Sequence, residues 1–135
     1  MRIARIIEYF PPHVGGMERH GLALTQEQIK LGHEVDVFIG VGGLKPSSKP
    51  KSDFGEFLKS DFKNCFELGF KIYKMSLQFL PLYSKARRFW FNLWAYFAVK
   101  KNHKKNPYNI IHLHGDFVEA FFGGKLAKKL SIPAV

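Results

Sequence analysis

The sequence predicts an α/β fold, an open doubly wound parallel sheet of Rossmann-like type. Three observations predict it. Apolar runs of strand length alternate with longer stretches of helical period, short loops join them, and the first forty residues read as one strand, helix, strand unit. With 135 residues and 46% hydrophobic composition, the chain has the length of one domain at most and enough apolar material for a core.

"RIARIIE", residues 2 to 8, is rich in Ile and holds no turn residue, as expected of a strand buried on both faces of a parallel sheet. A helical pattern follows from Gly16 to Leu31, with Met17, Gly21, Leu24 and Leu31 on one face, Gln28 interrupting that stripe and Gly32 as the stop. "EVDVFIG", residues 34 to 40, alternates and is β-branched, a second strand. Residues 41 to 68 open with "VGGLKPSSKPKSD" and read as a variable surface excursion. "FKIYKMSL", residues 70 to 77, is the third strand. A long helix spans 84 to 103 and ends in "KKNHKK", whose positive charge suits a helix C-terminus. "YNIIHLHG", residues 108 to 115, is the fourth strand, Asp116 is the N-cap, and "FVEAFFGGKLAKKL" is the third helix. "SIPAV" opens a fifth strand, so the sheet is expected to be incomplete at the C-terminus.

A single cysteine, Cys65, excludes an internal disulfide framework, and the N-terminus lacks the residue order of a signal peptide, which together predict a cytoplasmic protein. The densest apolar block, "FWFNLWAYFAV" at 89 to 99, is about half of the roughly 20 residues needed to cross a bilayer. The net charge of +10 is unevenly spread. Residues 45 to 106 carry fourteen basic and four acidic groups, together with fourteen of the twenty-one aromatics.

Ligands of such sheets bind outside the carboxyl ends of the strands. The two most unusual stretches, "PPHVGG" and "HLHG", both fall on that edge. Pro11 and Pro12 stiffen the strand exit, while Gly15 and Gly16 let the backbone turn tightly and approach a ligand. The first-turn amides of the helix then form a phosphate or carboxylate site. A Gly-Gly pair at a strand-to-helix corner is also ordinary punctuation, and the dinucleotide spacing G-x-G-x-x-G is absent. His112 and His114 are two apart on a strand and project from one face, with Ile111 and Leu113 on the other. His112 reads as a core histidine. His114, last before Gly115, overhangs the carboxyl edge and reads as functional. Two imidazoles fall short of a zinc ligand set, so neither a metal nor a cofactor is assigned.

"FPPHVGGMERHGLAL", "LGHEVDVF", "KIYKM" and "YNIIHLHG…LAKKLSIPAV" stand in the order and spacing of the N-terminal domain of retaining GT-B glycosyltransferases of glycosyltransferase family 4, which the chain resembles outside residues 41 to 68. The resemblance implies a transferase that moves a sugar from a nucleotide-sugar donor to a glycan or lipid-linked acceptor, in a cleft between two Rossmann-like domains. Residues 1 to 135 would be the acceptor-side domain, truncated. The glycine loop matching Gly15 and Gly16 implies contact with a donor diphosphate or acceptor phosphate, the histidine matching His114 a place beside the transferred sugar, and Glu18 a site-lining or loop-holding group. His112 and Asp116 are secondary candidates. In the family most donor contacts come from a C-terminal domain, so these residues alone are expected to be inactive, as a fragment or as one chain of a split enzyme. Ser131 departs from the family, where a glycine is common.

The helix at 84 to 103 interleaves Lys85, Arg87 and Arg88 with Phe89, Trp90, Phe91 and Trp94. Much of that block must be core. The surplus of charge and rings also fits a helix resting on an anionic membrane surface, with Lys85, Arg87 and Arg88 as contacts. Nucleic acid would feel the same charge, but nothing else resembles a nucleic-acid module, and it is not assigned as a partner. A non-catalytic membrane-binding or partner-binding module remains the alternative to the enzyme.

Overall fold

The computed structural model describes residues 1–11, 15–40, 70–75 and 84–135; the side chains of Ser84 and Lys85, the excursion at 41 to 68 and Cys65 lie outside what is described. In chain order the elements are β1 (Arg2–Ile7), α1 (Gly16–Lys30), β2 (Glu34–Ile39), β3 (Lys71–Lys74), α2 (Ser84–Lys105), β4 (Ile110–His114) and α3 (Phe117–Leu130). All strand pairs are parallel and the sheet order is β3-β2-β1-β4. The chain therefore winds outward from β1 through β2 to β3 and then returns to the other side of β1. That reversal is what the doubly wound class requires.

Alternation along the strands sends residues to two different cores. Ile3, Ile7, Val35, Val37 and Ile39 face α1 and pack with Leu22, Phe10 and Phe70. Ala4, Ile6, Phe38 and Ile111 face the opposite way, onto Phe91, Ala95 and Val99 of α2 and Leu126 of α3. The apolar block of α2 is thus core on one side, and the sheet is covered on both faces, as parallel sheets require.

Two elements differ from the expectation. β4 begins at Ile110 rather than Tyr108, because Tyr108 turns into the core and donates its hydroxyl to Asp36 Oδ2 at 2.5 Å. The "SIPAV" segment pairs with the outer side of β4 through a single bridge, Ile111 to Ala134, with Leu113 N donating to Val135 O at 2.7 Å.

The apolar stripe of α1 is also a correction. Met17 and Leu31 are 50% and 74% exposed, while the buried positions are Glu18, Gly21, Leu22 and Thr25. The cause is Arg5, fully buried in the middle of β1. Its guanidinium donates to Gly21 O at 2.7 Å, to Gln28 Oε1 at 2.5 Å and to Thr25 Oγ1. A buried cation must be hydrogen-bonded, so the helix turns polar groups toward it. Gln28, an interruption in the sequence pattern, is one of its acceptors. Gly21 lets α1 come close, since a Cβ there would stand 2.8 Å from Ile7 Cδ1.

Candidate functional site

The strand order reverses between β1 and β4, which register as Ile7 opposite His114. In doubly wound sheets the carboxyl edge beside such a reversal is the usual place for a ligand. His114 is the last residue of β4 and is 8% exposed. Its ring lies 6.0 Å from that of His20, one turn into α1. That contact brings the first turns of α1 beside His114.

His114 Nε2 is buried and makes no hydrogen bond with any described residue. A buried polar atom without a partner is uncommon, and it singles out His114 as the candidate for a ligand contact. Burial, and then the proximity of His112, Arg5 and His20, pushes the His114 imidazole down to about 4. It is thus neutral near pH 7, able to donate or accept at Nε2 according to tautomer. His112 stacks on it at 4.5 Å between centroids, and its Nδ1 faces Arg5 Nη2 at 3.5 Å. Burial, then Arg5 and His20, holds His112 below its ordinary value too. His112 is half-buried and occupied by the core network, whereas His114 keeps one nitrogen uncommitted.

At the α1 entrance, Gly15 is the N-cap, in extended conformation and without a side-chain cap. A Cβ on Gly15 would collide with the Glu18 carboxylate, which is folded back over the turn and buried. The glycine here makes room for Glu18 rather than for a ligand. Gly16 is the opposite case, exposed with nothing within 4 Å of a Cβ. The open space for a ligand backbone contact is at Gly16. Residues 12 to 14 of the loop lie outside the described residues.

Asp116 caps α3 as predicted. Its carboxylate accepts from Val118 N at 3.1 Å while Glu119 Oε2 accepts from Asp116 N at 3.1 Å, a reciprocal capping box. Glu119 is buried, its carboxyl pushed up first by burial, and it also accepts from Asn92 Nδ2 at 3.2 Å. A Cβ on Gly115 would stand 2.5 Å from the Glu119 side chain, so the glycine after His114 exists to admit that cap.

Arg87 and Arg88 point toward this edge. Arg88 Nε is 3.0 Å and Arg87 Nε 3.4 Å from the buried carboxylate of Glu8, and Arg88 also pairs with Asp116. Two of the three basic residues read as membrane contacts are thus anchored to neighbours of the site, tying α2 to the ends of β1 and β4. The Lys85 side chain lies outside the described residues. Glu8, Arg5 and His20 were missed in the sequence; the signal available for Glu8 was a carboxylate closing an otherwise apolar run. Among the described residues no three His, Cys, Asp or Glu side chains converge so as to hold a metal ion.

Residues 14–135 match the family model described as Glycosyltransferase Family 4. Among solved structures, MurG of Acinetobacter baumannii superposes with a TM-score of 0.57 at 17% identity, covering 98% of this chain and 33% of that one. The glycotransferase of kitacinnamycin gives 0.56 at 15% identity, covering 98% and 29%. The C-terminal domain (residues 78-226) of the PF1911 hydrogenase of Pyrococcus furiosus gives 0.65 at 8% identity, covering 99% and 88%. At such identities the structural likeness speaks for the fold alone, and the chain spans about a third of the length of MurG. Comparison with curated protein sequences finds no match.

Proposed function

The chain belongs to glycosyltransferase family 4, and from that premise we propose that the protein transfers a sugar from a nucleotide-sugar donor to a glycan or lipid-linked acceptor, with retention of the anomeric configuration. These 135 residues supply the acceptor-side wall of the cleft, and turnover belongs to a longer protein that adds a donor-binding domain. The observation that carries the reading is the uncommitted Nε2 of a neutral, buried histidine at the β1–β4 switch point, beside the first turn of α1.

In this reading the exposed amides at Gly16 meet a phosphate group of donor or acceptor, where the helix N-terminus favours negative charge. His114 Nε2 hydrogen-bonds a hydroxyl of the transferred sugar. A neutral imidazole suits that task, because an imidazolium would oppose the positive charge that develops on a sugar ring as the leaving group departs. Glu18 holds the loop through its contact with Gly15, and Glu8 with Arg87 and Arg88 fixes the floor on which both strand ends rest.

The test is turnover of the full-length protein with a panel of nucleotide sugars and acceptors, with the anomer of the product assigned by NMR. Sugar transfer with retention that is lost in His114→Ala supports the reading. Hydrolysis alone, inversion, or transfer indifferent to His114 overturns it.

A further inference from the structure

Helices α2 and α3 lie side by side on one face of the sheet and share an outward pattern that packing on the sheet does not use. On α2 the outward positions Phe89, Trp90 and Phe97 are 49%, 43% and 58% exposed, and exposed Lys101 and Lys104 follow them. On α3 Phe117 and Phe121 are 80% and 47% exposed, and exposed Lys125 and Lys128 follow. Both helices return against parallel strands and so run the same way. Phe89 and Trp90 therefore meet the aromatic half of α3 at the carboxyl edge of the sheet, beside the candidate site, Phe97 lies further along α2, and the lysines lie toward the far end.

The aromatic halves form one patch rather than scattered rings. Phe89 meets Phe122 at 5.4 Å across the two helices, Phe122 meets Phe121 at 5.6 Å, and Phe121 meets Phe117 at 6.4 Å. Phe89 meets Trp90 at 6.1 Å on the other side, and Lys125 Nζ sits 4.2 Å over the Phe121 ring. Single exposed rings are normal; a contiguous run joining two helices marks an interaction surface. The charge on the two helices themselves is of one sign, and the exposed N-cap Asp116 beside Phe117 is paired with Arg88. α2 contains no acidic residue, and the only acid within α3, Glu119, is buried.

We propose that the α2–α3 face docks on an anionic lipid bilayer, with the aromatic band in the interfacial layer and the lysine band over the headgroups. Aromatic side chains partition to that layer, and lysines near an anionic surface gain from its potential without needing a shaped partner. Among the described residues no helix is long and apolar enough to cross a membrane, so the helices lie on the surface. This places the contact elsewhere than the Arg87 and Arg88 pairs, which hold the fold together. Resting on the transferase reading for its consequence, docking presents the carboxyl edge of the sheet to an acceptor whose anchor is in the bilayer.

The experiment is co-sedimentation of the full-length protein with vesicles of phosphatidylcholine alone and of phosphatidylcholine with phosphatidylglycerol, at low and high salt. Binding is expected with the anionic vesicles and weaker at high salt. Phe117→Ser with Phe121→Ser, at exposed positions, is expected to lower the partition coefficient roughly tenfold or more with an unchanged melting temperature. Lys101→Glu with Lys104→Glu and Lys125→Glu is expected to lower it as much at low salt. Transfer to a water-soluble acceptor, measured in parallel, stays at the unsubstituted level in both variants, which separates failure of docking from failure of the transferase reading. Equal binding to neutral and anionic vesicles, no binding to either, binding indifferent to the aromatic variant, or a melting temperature lowered by that variant, showing its rings to be covered by protein, overturns the proposal.

Discussion

The imidazoles of His112 and His114 stack at 4.5 Å between centroids with 22° between their planes. Two rings so placed cannot both be charged cheaply, and burial depresses His114 from 6.5 to about 4. Below pH 6.5 the unfolded chain binds a proton there that the folded chain refuses, so stability falls as pH drops from 6.5 toward 4, by up to about 3 kcal/mol from this group. His114→Gln removes the titration. Melting temperatures followed across that window should fall less steeply in the variant, and parallel profiles would remove the depressed histidine from the account.

Arg5 is the cation that His112 faces, and its own acceptors, Gly21 O, Thr25 Oγ1 and Gln28 Oε1, are neutral. Burial lowers Arg5 to about 10, so it remains charged at neutral pH. Gln28→Glu places a carboxylate on Arg5 with almost no change of shape. The field at His112 then weakens and its titration moves up toward the ordinary histidine range, readable by NMR of the ring protons. A downward or absent shift in a folded variant would show that Arg5 does not set the protonation of the pair.

The outline of the fold was legible because the strands and helices carry their own periodicity and turn residues. Asp116 was legible as a cap because capping is local: the carboxylate and the Val118 amide are two residues apart. The stripe on α1 was not, since its facing depends on Arg5, sixteen residues from Gly21 and 107 from His112. Glu8 was missed for the same reason, its partners lying 80 residues away on α2. His114 could be placed at the edge by counting along a strand, whereas its orphaned nitrogen and the nearness of His20 exist only once β4 has paired with β1.

Turnover should separate the two histidines in the full-length enzyme. His114→Ala removes the uncommitted Nε2 and should lower kcat by about tenfold to a hundredfold, the range of one or two lost hydrogen bonds to a reacting ring. His112→Ala leaves a partial cavity beside Arg5 and should lower the melting temperature with kcat largely kept. Near-normal kcat in the His114 variant, with steady-state kinetics at saturating donor, would remove that residue from the site.

The two glycines of the loop should respond in opposite ways. Gly15→Ala displaces the flexible end of the Glu18 side chain from the turn and should destabilise by about 0.5–1 kcal/mol. Gly16→Ala meets open space in a helical position and should stabilise by about 0.5–1 kcal/mol, since alanine loses less conformational freedom there. Yet Gly16 is where a ligand can come close to the backbone, so the more stable variant should bind donor or acceptor phosphate more weakly. Chemical denaturation and ligand titration on the same samples check both halves.

Ser131 offers the last test, at the far end of the domain from the site. It caps α3 with φ 55° and ψ 40°, the left-handed region, and its amide donates to Lys128 O at 3.4 Å. A glycine at this position would have a physical advantage: it adopts that conformation without a Cβ pressing on the next carbonyl, a strain of about 1–2 kcal/mol. Ser131→Gly relieves it but loosens the unfolded chain, an opposing effect of roughly 0.4–1 kcal/mol. The net expectation is stabilisation by about 0.5–1 kcal/mol. Ser131→Val, β-branched in a left-handed position, should destabilise by more than the glycine gains. Because Ser131 is exposed, neither change disturbs a packed side chain, so thermal denaturation reads the backbone term alone. If glycine and valine melt alike, the left-handed cap does not govern the end of α3.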